Sequence, residues 1–234
     1  MSAGMTVIGL TGPSGAGKST VLRVFASLGA VTVDADAIYH ELLSRDAELQ
    51  AAIRSRFPQA FAAQEDGSGP PDGGTLDRKA LGNLVYGDPA SLRALEEITH
   101  PAVIAETVRI LENARAGGAP AAAIDAIALL QSGMASVCDV TVAVLAAPDA
   151  RLARIMARDG ISRSYALRRM DAQPDDTYYA QRCDHILYNT EQPGALARRA
   201  AALYGELVTA GAETRRRTSG CPIPRDKTTR EADA

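Results

Sequence analysis

The sequence lacks the features that mark several protein classes. Three cysteines, Cys138, Cys183 and Cys221, stand at unrelated spacings with no C-x-x-C pair. That argues against a disulfide framework or a thiolate zinc site and points to a reducing compartment. The histidines His40, His100 and His185 are scattered, and no two have metal-ligand spacing. Lysine occurs only as Lys18, Lys79 and Lys227. The most apolar run, 119–130, contains Asp125 and falls well short of the roughly 20 residues that span a bilayer. Nothing at the start resembles a signal peptide, and no internal repeat is visible. A formal net charge of −3 lacks the basic excess of a nucleic-acid binder. The expectation is a soluble cytoplasmic protein with no nucleic-acid or membrane partner; its oligomeric state is not legible.

What is present begins with Gly12-Pro13-Ser14-Gly15-Ala16-Gly17-Lys18-Ser19-Thr20, which fits G-x-x-x-x-G-K-[ST] at every required position. The β-branched run 5–10 precedes it as a buried strand. Val21, Leu22, Phe25 and Leu28 follow at helical spacing, with Gly29 as the stop. In a strand–loop–helix of this kind, glycines let backbone N–H groups turn inward as an anion site, and the helix dipole adds to it. Lys18 then reaches the β/γ-phosphates of a nucleotide, and the Ser19 hydroxyl is placed to ligand Mg²⁺.

Further along, 31–33 reads as a second strand ending in Asp34-Ala35-Asp36, where ligands sit in open α/β sheets. Helical patterns start at Ile38 and run to a stop at Pro58; others cover 76–83 and 90–99. His100-Pro101 interrupts the pattern before a helix over 103–112. The segment 64–75, rich in Gly and Pro, reads as a surface connector. Strands are expected over 121–130, with Asp125 inside, 140–145 and 185–188. Helices are expected from Pro148 to Arg158, from an N-cap at Ser162 to Gln173, and from Gln192-Pro193 to about Gly211. The alternation predicts a three-layer α/β/α fold on a parallel sheet. Residues 1–211 form the domain, with a helical substrate-side insertion at about 38–115 and a lid at about 149–173. Residues 212–234, with Arg215-Arg216-Arg217, are expected to be a disordered tail.

Several residues could carry chemistry. Asp34 and Asp36 lie two apart, so on an extended backbone both face one side of the sheet. Either could orient an attacking hydroxyl or hold Mg²⁺, or instead cap the next helix. Arg151, Arg154 and Arg158 share one face of a helix. They could neutralise a transferring phosphoryl group or form a solvated basic face, the second being the stronger reading for Arg168 and Arg169. Asp125 could act on Mg²⁺ through water or be a satisfied core residue.

Together these residues resemble the dephospho-coenzyme A kinase family. Leu10 to Thr20 matches its "LTGxxGxGKST" loop, and Val31 to His40 matches "V-x-D-A-D-x-I-x-H". Arg78-Lys79-Ala80-Leu81-Gly82 and Leu95-Glu96-Glu97-Ile98-Thr99-His100-Pro101 resemble its helical substrate region. Arg154, the "ARDGIS-R" stretch and Ala172-Gln173 resemble its lid, and Cys183 to Asn189 its late strand. The resemblance implies a P-loop kinase that phosphorylates the ribose 3′-hydroxyl of dephospho-coenzyme A with ATP and Mg²⁺. It implies Asp36 at that hydroxyl, Lys18 and Arg158 on the phosphoryl group, and His40 and His100 with the acceptor. Gly15, Ala16, Gly17, Lys18, Ser19 and Thr20 would cradle ATP with Asn189 on the adenine side, and Ser19 and Asp34 would serve the metal. Two positions depart from the family: Gln131 stands where an acidic residue is usual, and Pro13-Ser14 where Gly-Ile is common. A nucleoside or nucleotide kinase is the nearest alternative. A transporter-type ATPase lacks its L-S-G-G-Q here and a GTPase its N-K-x-D. A weakened paralogue that only binds nucleotide is the reading motivated by Gln131.

Overall fold

The computed structural model describes residues 4–62, 74–85, 87–190 and 192–218. Five strands form one parallel sheet: β1 (Thr6–Thr11), β2 (Ala30–Asp34), β5 (Ala121–Asp125), β6 (Val140–Leu145) and β7 (His185–Tyr188), in the order β2-β5-β1-β6-β7. The central strand β1 is buried along its whole length, as a parallel strand covered on both faces must be. Its side chains alternate between two cores. Ile8 and Leu10 pack with Val21 and Phe25 of α1 (Lys18–Ser27) and Leu196, Leu203 and Tyr204 of α9 (Ala195–Thr218). Val7 packs on the other face with Ile38 of α2 (Ala35–Arg45) and Val103 and Leu111 of α5 (Pro89–Ala116). These helical layers make the three-layer fold that the alternation predicts.

Two peripheral units carry apolar clusters of their own. Leu43, Ile53, Phe57, Leu81 and Leu95 knit α2 and α5 to α3 (Ala47–Arg56) and α4 (Arg78–Val85). Leu152, Ile155 and Ala166 join α6 (Pro148–Asp159) to α7 (Arg163–Asp171). The α6–α7 turn is built as its residues suggest: Gly160 takes φ 64 as the C-cap of α6, and the Ser162 hydroxyl accepts from the Tyr165 amide to cap α7.

The structure corrects several boundaries. Helix α5 runs unbroken through Pro101, because Leu95, Thr99, Val103, Thr107 and Leu111 form one buried stripe on both sides of the proline. Packing of that stripe outweighs the local cost of an interior proline, about 3 kcal/mol. Strand β5 ends at Asp125 instead of continuing to Leu130, since Ala126 and Leu129 turn into the core. Phe61–Ala62 (β3) and Thr75–Leu76 (β4) form a short antiparallel ladder, so Leu76 belongs to a strand and α4 begins after an Asp77 cap. Short helix α8 (Asp176–Ala180) precedes β7. Helix α9 continues beyond Gly211 to Thr218, so the first residues of the expected tail are helical. Its remainder, 219–234, and most of the 64–75 connector lie outside the described residues.

The loop after β1 depends on close backbone contact. Gly12 takes φ +129, and a Cβ there would stand 2.3 Å from the Val144 carbonyl oxygen on β6. Gly12→Ala therefore combines strain with a backbone clash. At about 1–3 kcal/mol for the strain alone, and about 2–4 °C of melting midpoint per kcal/mol, the midpoint should fall by roughly 4 °C or more. Gly82→Ala, in open space inside α4, should instead leave the midpoint unchanged or raise it slightly. Thermal melts of the two variants beside wild type check both outcomes.

Candidate active site

The carboxyl ends of β1, β2 and β5 open onto a cleft of about 640 Å³. Its walls include Gly15, Gly17, Lys18, Ser19 and Thr20 of the loop, Asp34, Asp36 and Asp125 from the strand ends, Arg154, Arg158 and Arg169 from α6 and α7, and Asn189 after β7. The glycine-rich loop thus faces acids on one side and arginines on the other, an arrangement suited to a polyanion with a metal and an attacking group.

The loop is held from outside. The Lys18 ammonium donates to the Gly12 carbonyl at 2.7 Å. The Asn189 side-chain amide donates to the Ala16 carbonyl at 2.7 Å, and a Cβ on Gly17 would meet that amide nitrogen at 2.6 Å. Asn189 therefore braces the loop besides lining the cleft. Arg154 donates to the Gly15 carbonyl at 3.1 Å.

The two aspartates divide by local structure. The strand stops at Asp34, whose carboxylate accepts from the Ala37 amide as the N-cap of α2. Asp36 lies in the first helical turn, so the expected extended backbone with both side chains on one face does not form. Both still line the cleft. Asp36 also lines a second, largely apolar cavity of about 200 Å³, walled by Tyr39, Leu95, His100, Val103 and Met134. Asp36 is thus the carboxylate shared by the two spaces. His100 is brought to that second cavity, whereas His40 is exposed and lines neither space. Gln131 is exposed in a shallow groove with Arg93, Glu97 and Pro101, away from the loop.

The arginines also separate. Arg158 lines the cleft while its guanidinium pairs with Asp159 through two bonds of 2.6 and 2.9 Å. Arg169 joins the same carboxylate at 2.7 Å and reaches the cleft wall, which the sequence pattern did not signal. Arg151 is buried and turned behind the loop, with its Nε donating to the Ser14 carbonyl. Arg151, Arg154 and Arg158 all turn toward the loop, but only Arg154 and Arg158 line the cleft, while Arg151 is buried against the Ser14 carbonyl.

Burial sets the electrostatics. It pushes Lys18 below its ordinary value, opposed by the charges of Asp125 and Asp36. Burial, with Asp34 nearby, raises Asp36. Asp125 is raised from 3.8 to about 6, mainly by burial and against the pull of Lys18. It lies opposite Asp34 in the ladder of adjacent strands. The sequence left Asp125 between two readings, and the structure places it in the cleft.

A family model described as dephospho-CoA kinase matches residues 6–193. The dephospho-CoA kinase of Symbiobacterium thermophilum is 39% identical over 79% of this chain and 74% of its own length. That of Anaeromyxobacter dehalogenans is 36% identical over 94% of this chain and 99% of its own. Among solved structures, a Thermus thermophilus protein is 32% identical with a TM-score of 0.71, covering 87% of this chain and 98% of that one. A dephospho-CoA kinase from Campylobacter jejuni, 23% identical with a TM-score of 0.54, shares the fold over 87% of this chain and 97% of its own.

The raised Asp125 has a consequence for stability. Between pH 3.8 and about 6 the folded protein binds this proton more than the unfolded chain does, so stability falls as pH rises through that window. Above about 6 the full penalty of the buried charge is present, about 2–3 kcal/mol from a shift of this size. Without nucleotide, Asp125→Asn should melt several degrees above wild type at pH 8, and the difference should vanish below pH 4. A pH series of melts showing equal midpoints throughout would contradict the assignment.

Proposed function

The chain belongs to the dephospho-CoA kinase family, and we propose that this cleft carries out the corresponding reaction: transfer of the ATP γ-phosphoryl group to the ribose 3′-hydroxyl of dephospho-coenzyme A. The observation that carries this reading is the position of Asp36 at the join between the phosphate-loop cleft and the apolar cavity. A phosphoryl transfer needs one space for the donor's phosphates, a second for the acceptor and a carboxylate where they meet.

The loop amides and the start of α1 receive the phosphates of ATP. Lys18 exchanges its Gly12 contact for phosphate oxygens, and Arg158, released from the exposed pair with Asp159, meets charge building on the transferring group. Arg169, on the same carboxylate, is placed to do likewise. Asp36 orients the acceptor hydroxyl and takes up its proton. Because the transition state is loose, orientation matters more than strong basicity. Tyr39, Leu95, Val103 and Met134 offer the acceptor an apolar wall, with His100 beside them; His40 acts at most from one turn along α2.

The donor set fits Mg²⁺. The Ser19 hydroxyl and the carboxylates of Asp34 and Asp125 are hard oxygen ligands lining one cleft. Among the described residues no group of three acidic, histidine or cysteine side chains forms a cage. That suits an ion that usually takes one or two protein ligands together with phosphates and waters. The ion would neutralise phosphate charge, with Ser19 nearest the loop and Asp34 and Asp125 acting directly or through water. Gln131 lines a groove that shares Glu96, His100 and Ser132 with the apolar cavity, so the missing acidic residue borders the acceptor space and not the phosphate loop.

Lys18→Ala should abolish transfer while the protein still folds, and wild-type turnover in that variant would refute the role of the loop. Asp36→Asn keeps the shape and removes the charge. The value of kcat with dephospho-coenzyme A should fall by about 10²–10⁴-fold while ATP affinity barely changes. Steady-state rates over a panel of dephospho-coenzyme A, adenosine and uridine, with ATP binding measured separately, test both the role and the acceptor. A small loss of stability with kcat unchanged would make Asp36 structural.

A further inference from the structure

Ser14 sits at the crest of the phosphate loop and is almost wholly buried. All three of its polar groups are held by two side chains from the lid region. Its amide donates to Gln173 Oε1 at 2.9 Å, and its hydroxyl accepts from Gln173 Nε2 at 3.0 Å. Its carbonyl accepts from Arg151 Nε at 3.1 Å. Arg151 also reaches Gln173 Oε1 at 3.5 Å, which closes a ring of three residues. Neither Arg151 nor Gln173 belongs to the cleft wall.

A buried guanidinium facing neutral oxygens is costly, and the burial pushes Arg151 below its ordinary value. What the ring accomplishes follows from peptide geometry. In a trans peptide the carbonyl and the next residue's N–H point in opposite directions. Drawing the Ser14 carbonyl outward toward Arg151 turns the Gly15 N–H the other way. Asn189 does the same for the Ala16 carbonyl and the Gly17 N–H. The Ser14 N–H, satisfied by Gln173, is withdrawn from the anion ring, so the phosphate-facing amides begin at Gly15.

We infer that Gln173 is a positioning residue for the reaction: with Arg151 it fixes the Ser14 peptide from behind and thereby sets the phosphate-binding amides. It touches neither substrate nor metal. The inference rests on the reading of this cleft as the ATP site. It also ties the end of α7 to the loop, so the lid hairpin and the phosphate site share one anchor.

The test is Gln173→Ala with Gln173→Glu as the conservative partner. The glutamate keeps a side-chain oxygen for the Ser14 amide and for Arg151, and the Ser14 hydroxyl can turn to donate. For Gln173→Ala, the ATP dissociation constant by titration calorimetry should rise about tenfold and kcat should fall by about tenfold or more, the scale expected when a donor ring is misplaced by a fraction of an ångström. KM for dephospho-coenzyme A should stay within about twofold, because the acceptor space is untouched, and Gln173→Glu should recover ATP affinity to within about threefold of wild type. Ser14→Ala, which deletes only the hydroxyl contact, should weaken ATP by about threefold and carries the test if Gln173→Ala does not fold. A lowered melting midpoint with ATP affinity unchanged in the folded protein would overturn the inference, as would failure of the glutamate to restore affinity. The two readings fail separately: wild type that binds ATP but does not phosphorylate dephospho-coenzyme A would remove the proposed function. The ratio of ATP affinities would still decide the role of Gln173.

Discussion

The structure depends on one constraint: a ring of backbone amides must point inward at an anion before the anion arrives. Peptide planarity makes that a problem of holding carbonyls outward, and the surrounding elements supply the holders. Asn189 comes from the end of β7, Arg154 and Arg151 from α6, and Gln173 from the end of α7. Gly12 lets the chain leave β1 flush against Val144, and Gly17 lets it pass beneath Asn189. A side chain at either position would push the ring out of shape. The sheet order matters for the same reason, since it sets β1 between β5 and β6 and brings the β7 end within reach of the loop.

The second organising effect is desolvation of opposite charges. Lys18, Asp36 and Asp125 share a cleft in which each charge is disfavoured by burial. Lys18 is partly relieved by the two aspartates and each aspartate by Lys18, while Asp36 adds to the burden on Asp125. The folded protein without ligand therefore carries buried charges that lower its stability, as a nucleotide site can. Natural proteins often give up stability at functional sites in this way. The α6–α7 hairpin shows a milder form. Asp159 holds Arg158 and Arg169 together on the exposed side of α6 and α7, where ion pairs contribute little to stability and can be exchanged for phosphate at low cost.

Around this centre the flanking units are stabilised locally. The α2–α5 region buries leucines, Ile53 and Phe57 of its own, and the α6–α7 hairpin buries Leu152, Ile155 and Ala166. Asp36 belongs to the first of these units through α2 yet lines both the cleft and the apolar cavity.

The sequence by itself determined whatever depends on neighbours along the chain. The phosphate loop, the alternation of strands and helices, the Gly160 stop and the Ser162 cap all rest on residues a few positions apart, and all are found as read. Tertiary structure decided what depends on distant partners. Helical spacing puts Arg151 and Arg154 on one face, but it does not show that their partners are the carbonyls of Ser14 and Gly15, 137 and 139 positions away. Asn189 reads as a nucleotide contact and does line the cleft, but its bond to the Ala16 carbonyl across 173 positions is not legible in the sequence. Pro101 looks like a helix break, but the stripe buried against the sheet carries α5 through it. The choice between Asp34 as cap and Asp36 at the join of two cavities was open in the sequence, because a D-x-D spacing says nothing of where a strand ends. In the fold β2 ends at Asp34, which caps α2, and Ile38 of that helix packs with Val103 and Leu111 of α5; Asp36 is the carboxylate left lining both spaces.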